Sequence, residues 1–101
     1  MTTRRLQLRQ RPAVHVAAVV PAYNVGKELG DVLRQMPALV KTVVVVNDCS
    51  RDDTAAVAER YAQLDPRLIV VHHETNRGVG GAMVTGFQKA MSSVSPSELS
   101  G

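Results

Sequence analysis

Four consecutive valines, Val43 to Val46, run straight into Asn47, Asp48, Cys49 and Ser50, and Asp52, Asp53 and Thr54 follow. An unbroken β-branched apolar run presents hydrophobic side chains to both faces of an extended segment. It therefore needs cover on both sides, as a strand of a parallel sheet has. The small and polar residues after it favour a turn, and Asp52, Asp53 and Thr54 supply capping groups and early negative charge for a helix. A buried strand that releases an acidic turn at its carboxyl end is where open α/β sheets bind ligands. Asp48 is expected on that rim.

The rest of the chain repeats the pattern. Ala13 to Val20 is short, apolar and valine-rich and reads as a first strand, which Pro21 should stop because it has no N–H for a ladder. Pro21, Ala22, Tyr23 and Asn24 then form a loop. From Val25 onward, Leu29, Val32, Leu33 and Met36 recur at helical spacing, and Pro37 closes that helix. Gly30 weakens it by about 1 kcal/mol relative to alanine, which the apolar stripe outweighs. The second helix is expected from Asp53 to Leu64, with Val57, Ala58, Tyr61, Ala62 and Leu64 inward, and Asp65-Pro66 breaks it. Leu68 to His72 makes a third strand, His73 to Gly78 a loop, and Val79 to Met91 a third helix with Met83, Phe87, Ala90 and Met91 on one face. Strand–helix alternation with short connections predicts an α/β fold, a three-layer βαβαβα parallel sheet with right-handed crossovers.

At 101 residues the chain holds one domain at most. It divides into a flexible basic arm over 1–12, a partial domain over 13–91 and a flexible serine-rich tail over 92–101. With 45% hydrophobic but only 3% aromatic residues, the core must come from Val, Ala, Leu and Met. The net charge of +3 is local, since Arg4, Arg5, Arg9 and Arg11 lead the chain and eight basic residues face nine acidic ones in the remainder. No basic face recurs, so nucleic acid is not an expected partner. Cys49 is the single cysteine, which excludes an intrachain disulfide and suits a reducing, cytoplasmic setting. No apolar run approaches the roughly 20 residues that span a bilayer. Arg4 to Ala22 has a crude signal-peptide outline, but His15 interrupts it and no small-residue cleavage site follows.

All three strand-exit loops should open on one edge of the sheet. They carry Tyr23 and Asn24, then Asn47 and Asp48, then Asn76, Arg77 and Gly78. An aromatic ring, a carboxylate and an Arg-Gly element on one rim suit a nucleotide. Tyr23 can stack on a base, Asp48 can accept from a base N–H or a ribose hydroxyl, and Arg77 can pair with phosphate. Gly78, Gly80 and Gly81 permit close backbone approach beside a helix start. Each residue alone has a plainer reading as a packing, cap or turn residue. Neither common nucleotide signature is present: the glycines follow the third strand, Met83 stands where the last glycine of G-x-G-x-x-G belongs, and there is no P-loop. His72 and His73 are adjacent on a strand, point to opposite faces and cannot chelate one metal together. Cys49 reads as a small turn residue.

The markers V-V-P-A-Y-N (Val19 to Asn24), V-V-V-N-D-C-S-R-D-D-T (Val44 to Thr54) and N-R-G-V-G-G-A (Asn76 to Ala82), in this order and separation, resemble the amino-terminal part of family-2 glycosyltransferases of GT-A fold. The likeness runs from Val14 to Met91 and looks most like the branch that moves sugars onto polyprenyl phosphates such as dolichol phosphate. It implies a nucleotide-binding half that takes a UDP- or GDP-sugar. Pro21, Ala22 and Tyr23 would lie around the base with Asp48 as its carboxylate partner, and Asn24, Asn47, Asn76, Arg77 and Gly78 beside them.

Two departures matter. Many relatives read Asp-Asp-Gly-Ser where this chain has Asn47-Asp48-Cys49-Ser50. The family's D-x-D motif, which holds Mg²⁺ or Mn²⁺ on the diphosphate, occurs nowhere in the chain, and neither does an acceptor half with a catalytic carboxylate. No catalytic residue is therefore assigned. The expectation is a truncated member that binds the donor and is incomplete alone, completed by a carboxyl-terminal partner chain or self-associating through the open edge of its first strand. The alternatives are a non-catalytic nucleotide-binding or interaction module and a degenerate fragment.

Overall fold

The computed structural model describes residues 15–93. The expected arm over 1–12, the first two residues of the expected strand, Ala13 and Val14, and the tail from residue 94 onward lie outside the described residues. Strands β1 (Val16–Ala22), β2 (Val40–Asn47) and β3 (Leu68–His72) alternate with helices α1 (Gly26–Arg34), α2 (Thr54–Leu64) and α3 (Gly78–Ser92). The three strands form one parallel sheet in the order β1-β2-β3.

The valine run makes β2 the central strand, and Val43 to Val46 are at most 1% exposed. Its alternation divides the core. Val43 and Val45 join Leu29, Leu33, Val57, Ala58 and Leu68 under α1 and α2, while Val44 and Val46 join Ala82 and Ala90 under α3. The result is three layers, with two helices on one face of the sheet and one on the other.

Pro21 does not stop β1; it pairs in register with Val46, and the strand runs on through Ala22. Ala22 turns its carbonyl towards β2, where it accepts from Asp48 N–H at 2.8 Å. In a parallel strand the neighbouring residue faces the other way, so the ring nitrogen of Pro21 lies on the edge away from β2, which pairs with no strand among the described residues and needs no donor there.

α3 is inverted relative to the sequence expectation. Met83, Phe87 and Met91 are exposed, and Ala82, Gly86 and Ala90 face the sheet. A Cβ on Gly86 would collide with Val19 Cγ1 and stand 3.1 Å from Val46 Cγ2. Small residues at i, i+4 and i+8 bring the helix axis so close to the β-branched sheet that no large side chain fits between. Ala90 alone of the expected inward set is buried. Val32 and Leu64 also point outward, at 45% and 74% exposure, and Ser92 belongs to α3 rather than to the tail.

At the amino edge of the sheet Arg67 joins two loops. Its Nη1 donates to the carbonyls of Pro37 and Val40, each at 2.7 Å, and its Nη2 and Nε donate to Asp65. These hydrogen bonds hold the Asp65 carboxyl below its usual range and raise Arg67 above its own.

Candidate functional site

The strand register builds the site. Ala22, Asn47 and His72 stand side by side at the carboxyl end of the sheet. The ladder continues one rung further, from Asp48 N–H to Ala22 O at 2.8 Å and from His73 N–H to Asn47 O at 2.9 Å. Tyr23, Asp48 and His73 form the next row. Because side chains alternate between faces, Asn47 and His72 belong to the α2 side and Asp48 and His73 to the α3 side.

On the α2 side, the Asn47 amide Nδ2 lies 2.9 Å from His72 Nδ1, and His72 Nε2 lies 2.9 Å from Glu59 Oε2. Asn47 Oδ1 accepts from Ser50 N–H and folds the turn back on its strand. On the α3 side, Asp48 is 3% exposed. Its Oδ1 accepts from His73 Nδ1 and Arg77 N–H, and its Oδ2 from Gly78 N–H, all at 2.8 Å. The other ring nitrogen of His73 meets Thr85 Oγ1 at 2.8 Å. The His73 hydrogen bond most of all, then those from the Arg77 and Gly78 amides, holds the Asp48 carboxyl below its ordinary value of 3.8, against the opposing effect of burial. Asp48 thus fixes the start of α3, where Gly78 stands at φ +77°, a conformation suited to glycine. Asn76 Oδ1 also accepts from Gly78 N–H.

The first two loops are also joined. Asn24 takes φ +52°; its N–H donates to Ser50 Oγ and its Oδ1 accepts from Arg51 N–H. Val25 N–H donates to Thr54 Oγ1 and Gly26 N–H to Asp52 Oδ2. Asp52 therefore caps α1 across the chain, while its Oδ1 accepts from both the amide and the hydroxyl of Thr54. Those Thr54 bonds, hydroxyl first, lower the Asp52 carboxyl. Asp53, expected to cap α2, makes no side-chain cap hydrogen bond.

A cavity of about 220 Å³ opens among these loops, lined by Pro21, Ala22, Tyr23, Val25, Asp48, Val79 and Ala82. Four of the sequence-derived site residues, Pro21, Ala22, Tyr23 and Asp48, line it. Tyr23 lines it and is 48% exposed. Asn24, Asn47, Asn76, Arg77 and Gly78 do not line it; their hydrogen bonds shape the loops beside it, and Arg77 is exposed. Sequence reasoning missed the apolar walls Val25, Val79 and Ala82 and the supporting pair His73 and Thr85. Helical spacing from Gly78 would have found Ala82; nothing local marks His73, because its partners lie 25 and 12 residues away.

The described residues do not fit a metal. No group of three or more His, Cys, Asp or Glu among them is placed to hold one, and the one carboxylate in the cavity already accepts three hydrogen bonds from the chain.

Comparison with known proteins agrees with this fold. The chain is 35% identical over 77 residues to an undecaprenyl-phosphate mannosyltransferase of Micrococcus luteus, covering 74% of this chain and 32% of that protein. It is 34% identical over 92 residues to an uncharacterised protein of Methanocaldococcus jannaschii, MJ1222, covering 90% and 36%. Among solved structures it resembles the mannosyltransferase PcManGT from Pyrobaculum calidifontis, in complex with GDP-Man and Mn²⁺, with TM-score 0.57 and 25% identity over 86% of this chain and 30% of that one. It also resembles S. aureus TarS 1-349 in complex with UDP, with TM-score 0.61 and 29% identity over 75% and 24%. The chain spans about a third of the length of these relatives. The model of the glycosyl transferase family 2 matches residues 17–94, most of the chain, and the chain belongs to that family.

Proposed function

We propose that the cavity between the three strand-exit loops receives the base of a nucleoside-diphosphate sugar, and that this chain is the donor-binding segment of a family 2 glycosyltransferase. The observation that carries the reading is the convergence of Tyr23 and Asp48 on one apolar cavity at the carboxyl edge of the sheet. Tyr23 offers a face for stacking, Asp48 accepts from the base edge, and the ribose and diphosphate lead out along the start of α3, where the Arg77 guanidinium pairs with phosphate oxygens. About 220 Å³ is smaller than the cavities that take drug-sized ligands and suits one ring system.

In the transfer reaction an acceptor oxygen attacks the anomeric carbon of the sugar and the nucleoside diphosphate leaves. The residues described here would bind and orient the leaving nucleotide. The acceptor we propose is a polyprenyl phosphate, as the names of several relatives suggest, with a saccharide as the alternative. No helix among the described residues is long and apolar enough to cross a membrane, and we place donor binding on the cytoplasmic side.

Titration of the ¹⁵N-labelled chain with a UDP-sugar and a GDP-sugar tests the reading. It expects saturable shifts in the amides of Tyr23, Arg77, Gly78 and Val79. No saturable shift with either donor would remove it.

One observation favours a second reading, an interaction module. α3 turns Val79, Val84 and Phe87 outward, at 71%, 58% and 62% exposure, an apolar face that another polypeptide could cover.

A further inference from the structure

The outer edge of β1 carries no charged side chain. Sheet edges are ordinarily blunted by charge, because their N–H and C=O groups accept another strand. β1 reads V-A-A-V-V-P-A and pairs with β2 alone among the described residues. Ala22 turns its carbonyl to β2, so Ala17, Val19 and Pro21, out of phase with it, turn their main-chain groups outward. Ala17 and Val19 each offer an N–H and a C=O there.

α3 sets an apolar flank beside that edge. It lies over the junction of β1 and β2, since a Cβ on Gly86 would meet both Val19 Cγ1 and Val46 Cγ2. Its Thr85 and Lys89 stand on the β3 side, where Thr85 meets His73 and both residues line a hollow with Val71. At about 100° per residue Met83, Phe87 and Met91 fall on the opposite flank, towards the outer edge of β1. All three are exposed, and Lys89 is the one charged residue of the helix.

We propose that a second copy of this chain covers this surface, related by a two-fold axis normal to the sheet beside Ala18. The two β1 strands then pair antiparallel and join two sheets into one of six strands. Ala17 N–H donates to the carbonyl of the partner's Val19 and Val19 N–H to that of the partner's Ala17, four hydrogen bonds in all by symmetry. Pro21, without a donor, falls beyond the paired stretch and limits its length. Strand spacing then fixes the helices. Each α3 axis lies about half a strand spacing inside β1 and the two-fold half a spacing outside it, which sets the two axes about 10 Å apart, the distance of packed helices. Gly86 stands over Val19, one residue from the axis, so Phe87 and Met91 of both copies come together around it, an aromatic ring against a polarisable thioether. A groove lined by Met83, Val84, Phe87 and Gln88 gives the partner's Phe87 a seat. The interface is isologous, with one patch serving both copies. Because the strands run antiparallel, the two cavities lie at opposite ends of the sheet and both stay open. The contact belongs to the small, transient class, below about 1,200 Å², so the dimer should be reversible at roughly micromolar concentration.

Sedimentation of the full chain from about 1 to 200 μM, a span centred on that affinity class, tests this. The weight-average mass should rise from the 10.9 kDa of one chain towards twice that value and stop there. Phe87→Glu, which sets carboxylates beside the axis, and Ala17→Pro, which removes an outward donor without touching the ladder to β2, should each remain monomeric. Ala17→Pro carries the test alone if Phe87→Glu does not fold. Lys89→Glu, on the other flank of α3, should dimerise as the parent does. A parent chain that stays at the mass of one copy, or grows beyond two, would overturn the proposal. A folded variant at Phe87 or Ala17 that dimerises like the parent would overturn it as well. The inference does not rest on the nucleotide reading, which a monomeric chain would leave standing.

Discussion

His73 Nδ1 lies 2.8 Å from Oδ1 of Asp48, and the two side chains are 4% and 5% exposed. The carboxylate accepts only, so the ring nitrogen facing it carries the proton. Thr85 meets the opposite nitrogen at 2.8 Å. A carboxylate at the end of β2 is thereby clamped between β3 and α3, beside the cavity that it lines. The docking of α3 depends on this side chain, and the proposed nucleotide site makes use of the same one.

Asp48→Ala should therefore do two things at once. It leaves the His73 ring N–H and the amides of Arg77 and Gly78 without an acceptor, so the thermal unfolding midpoint should fall, and nucleotide affinity should be lost with it. Asp53→Ala is the control, since Asp53 makes no cap hydrogen bond. Circular dichroism melts of both variants check this; equal midpoints would mean the clamp contributes nothing.

Stability should fail in acid for a specific reason. The carboxyls of Asp48, Asp52 and Asp65 are all held below their ordinary value of 3.8 by hydrogen bonds made in the folded chain. A depressed folded pKa contributes stability that is fully present above the unfolded value and is lost as pH falls through the folded one. Urea unfolding midpoints should stay level from neutral pH down to about pH 5 and drop steeply below about pH 4. A midpoint unchanged at pH 2 would contradict these three assignments.

Gly86→Ala should lower stability by about 1–3 kcal/mol, because the added methyl group forces α3 away from Val19 and Val46. Gly80 lies in the same helix with nothing within 4 Å of an added Cβ. Gly80→Ala should gain up to about 1 kcal/mol from helix propensity. Denaturant titration of the pair separates contact with the sheet from propensity, and losses of equal size would remove the close-approach account.

Cys49 holds φ +62°, a left-handed conformation that costs a residue with a Cβ about 1 kcal/mol. Cys49→Gly should leave stability level or raise it by up to about 1 kcal/mol, the gain being offset in part by the added freedom of the unfolded chain. Cys49→Val should lower it, since a β-branched residue is poorly suited there. The unfolding midpoints of the two variants decide, and a valine variant as stable as the parent would sink the claim.

Tyr23 lines the cavity and is half-exposed. Tyr23→Ala should leave the melting midpoint within a degree or two, roughly the range of surface substitutions, and weaken nucleotide binding about tenfold through lost stacking. Unchanged affinity would take the ring out of the site.

Much of this molecule was determined locally. The valine run could only be a strand covered on both faces, the apolar spacing and the breakers at Pro37 and Asp65-Pro66 delimit helices, and three strand-to-helix exits in one parallel sheet bring Tyr23, Asp48 and Gly78 to one edge. Those inferences rest on covalent geometry and on side-chain periods of 2 and 3.6, which neighbouring residues suffice to express. Other features were decided only by tertiary structure. Pro21 stays within β1 because its missing donor falls on the edge away from β2, which depends on where the strand sits in the sheet. α3 buries Ala82, Gly86 and Ala90 rather than Met83 and Phe87 because the distance between helix and sheet, not hydrophobicity, selects its inner face. Asp48 meets donors 25 to 30 residues along the chain. A buried carboxylate's hydrogen bonds depend on which groups folding brings within about 3 Å of it, and no local pattern in the chain records that.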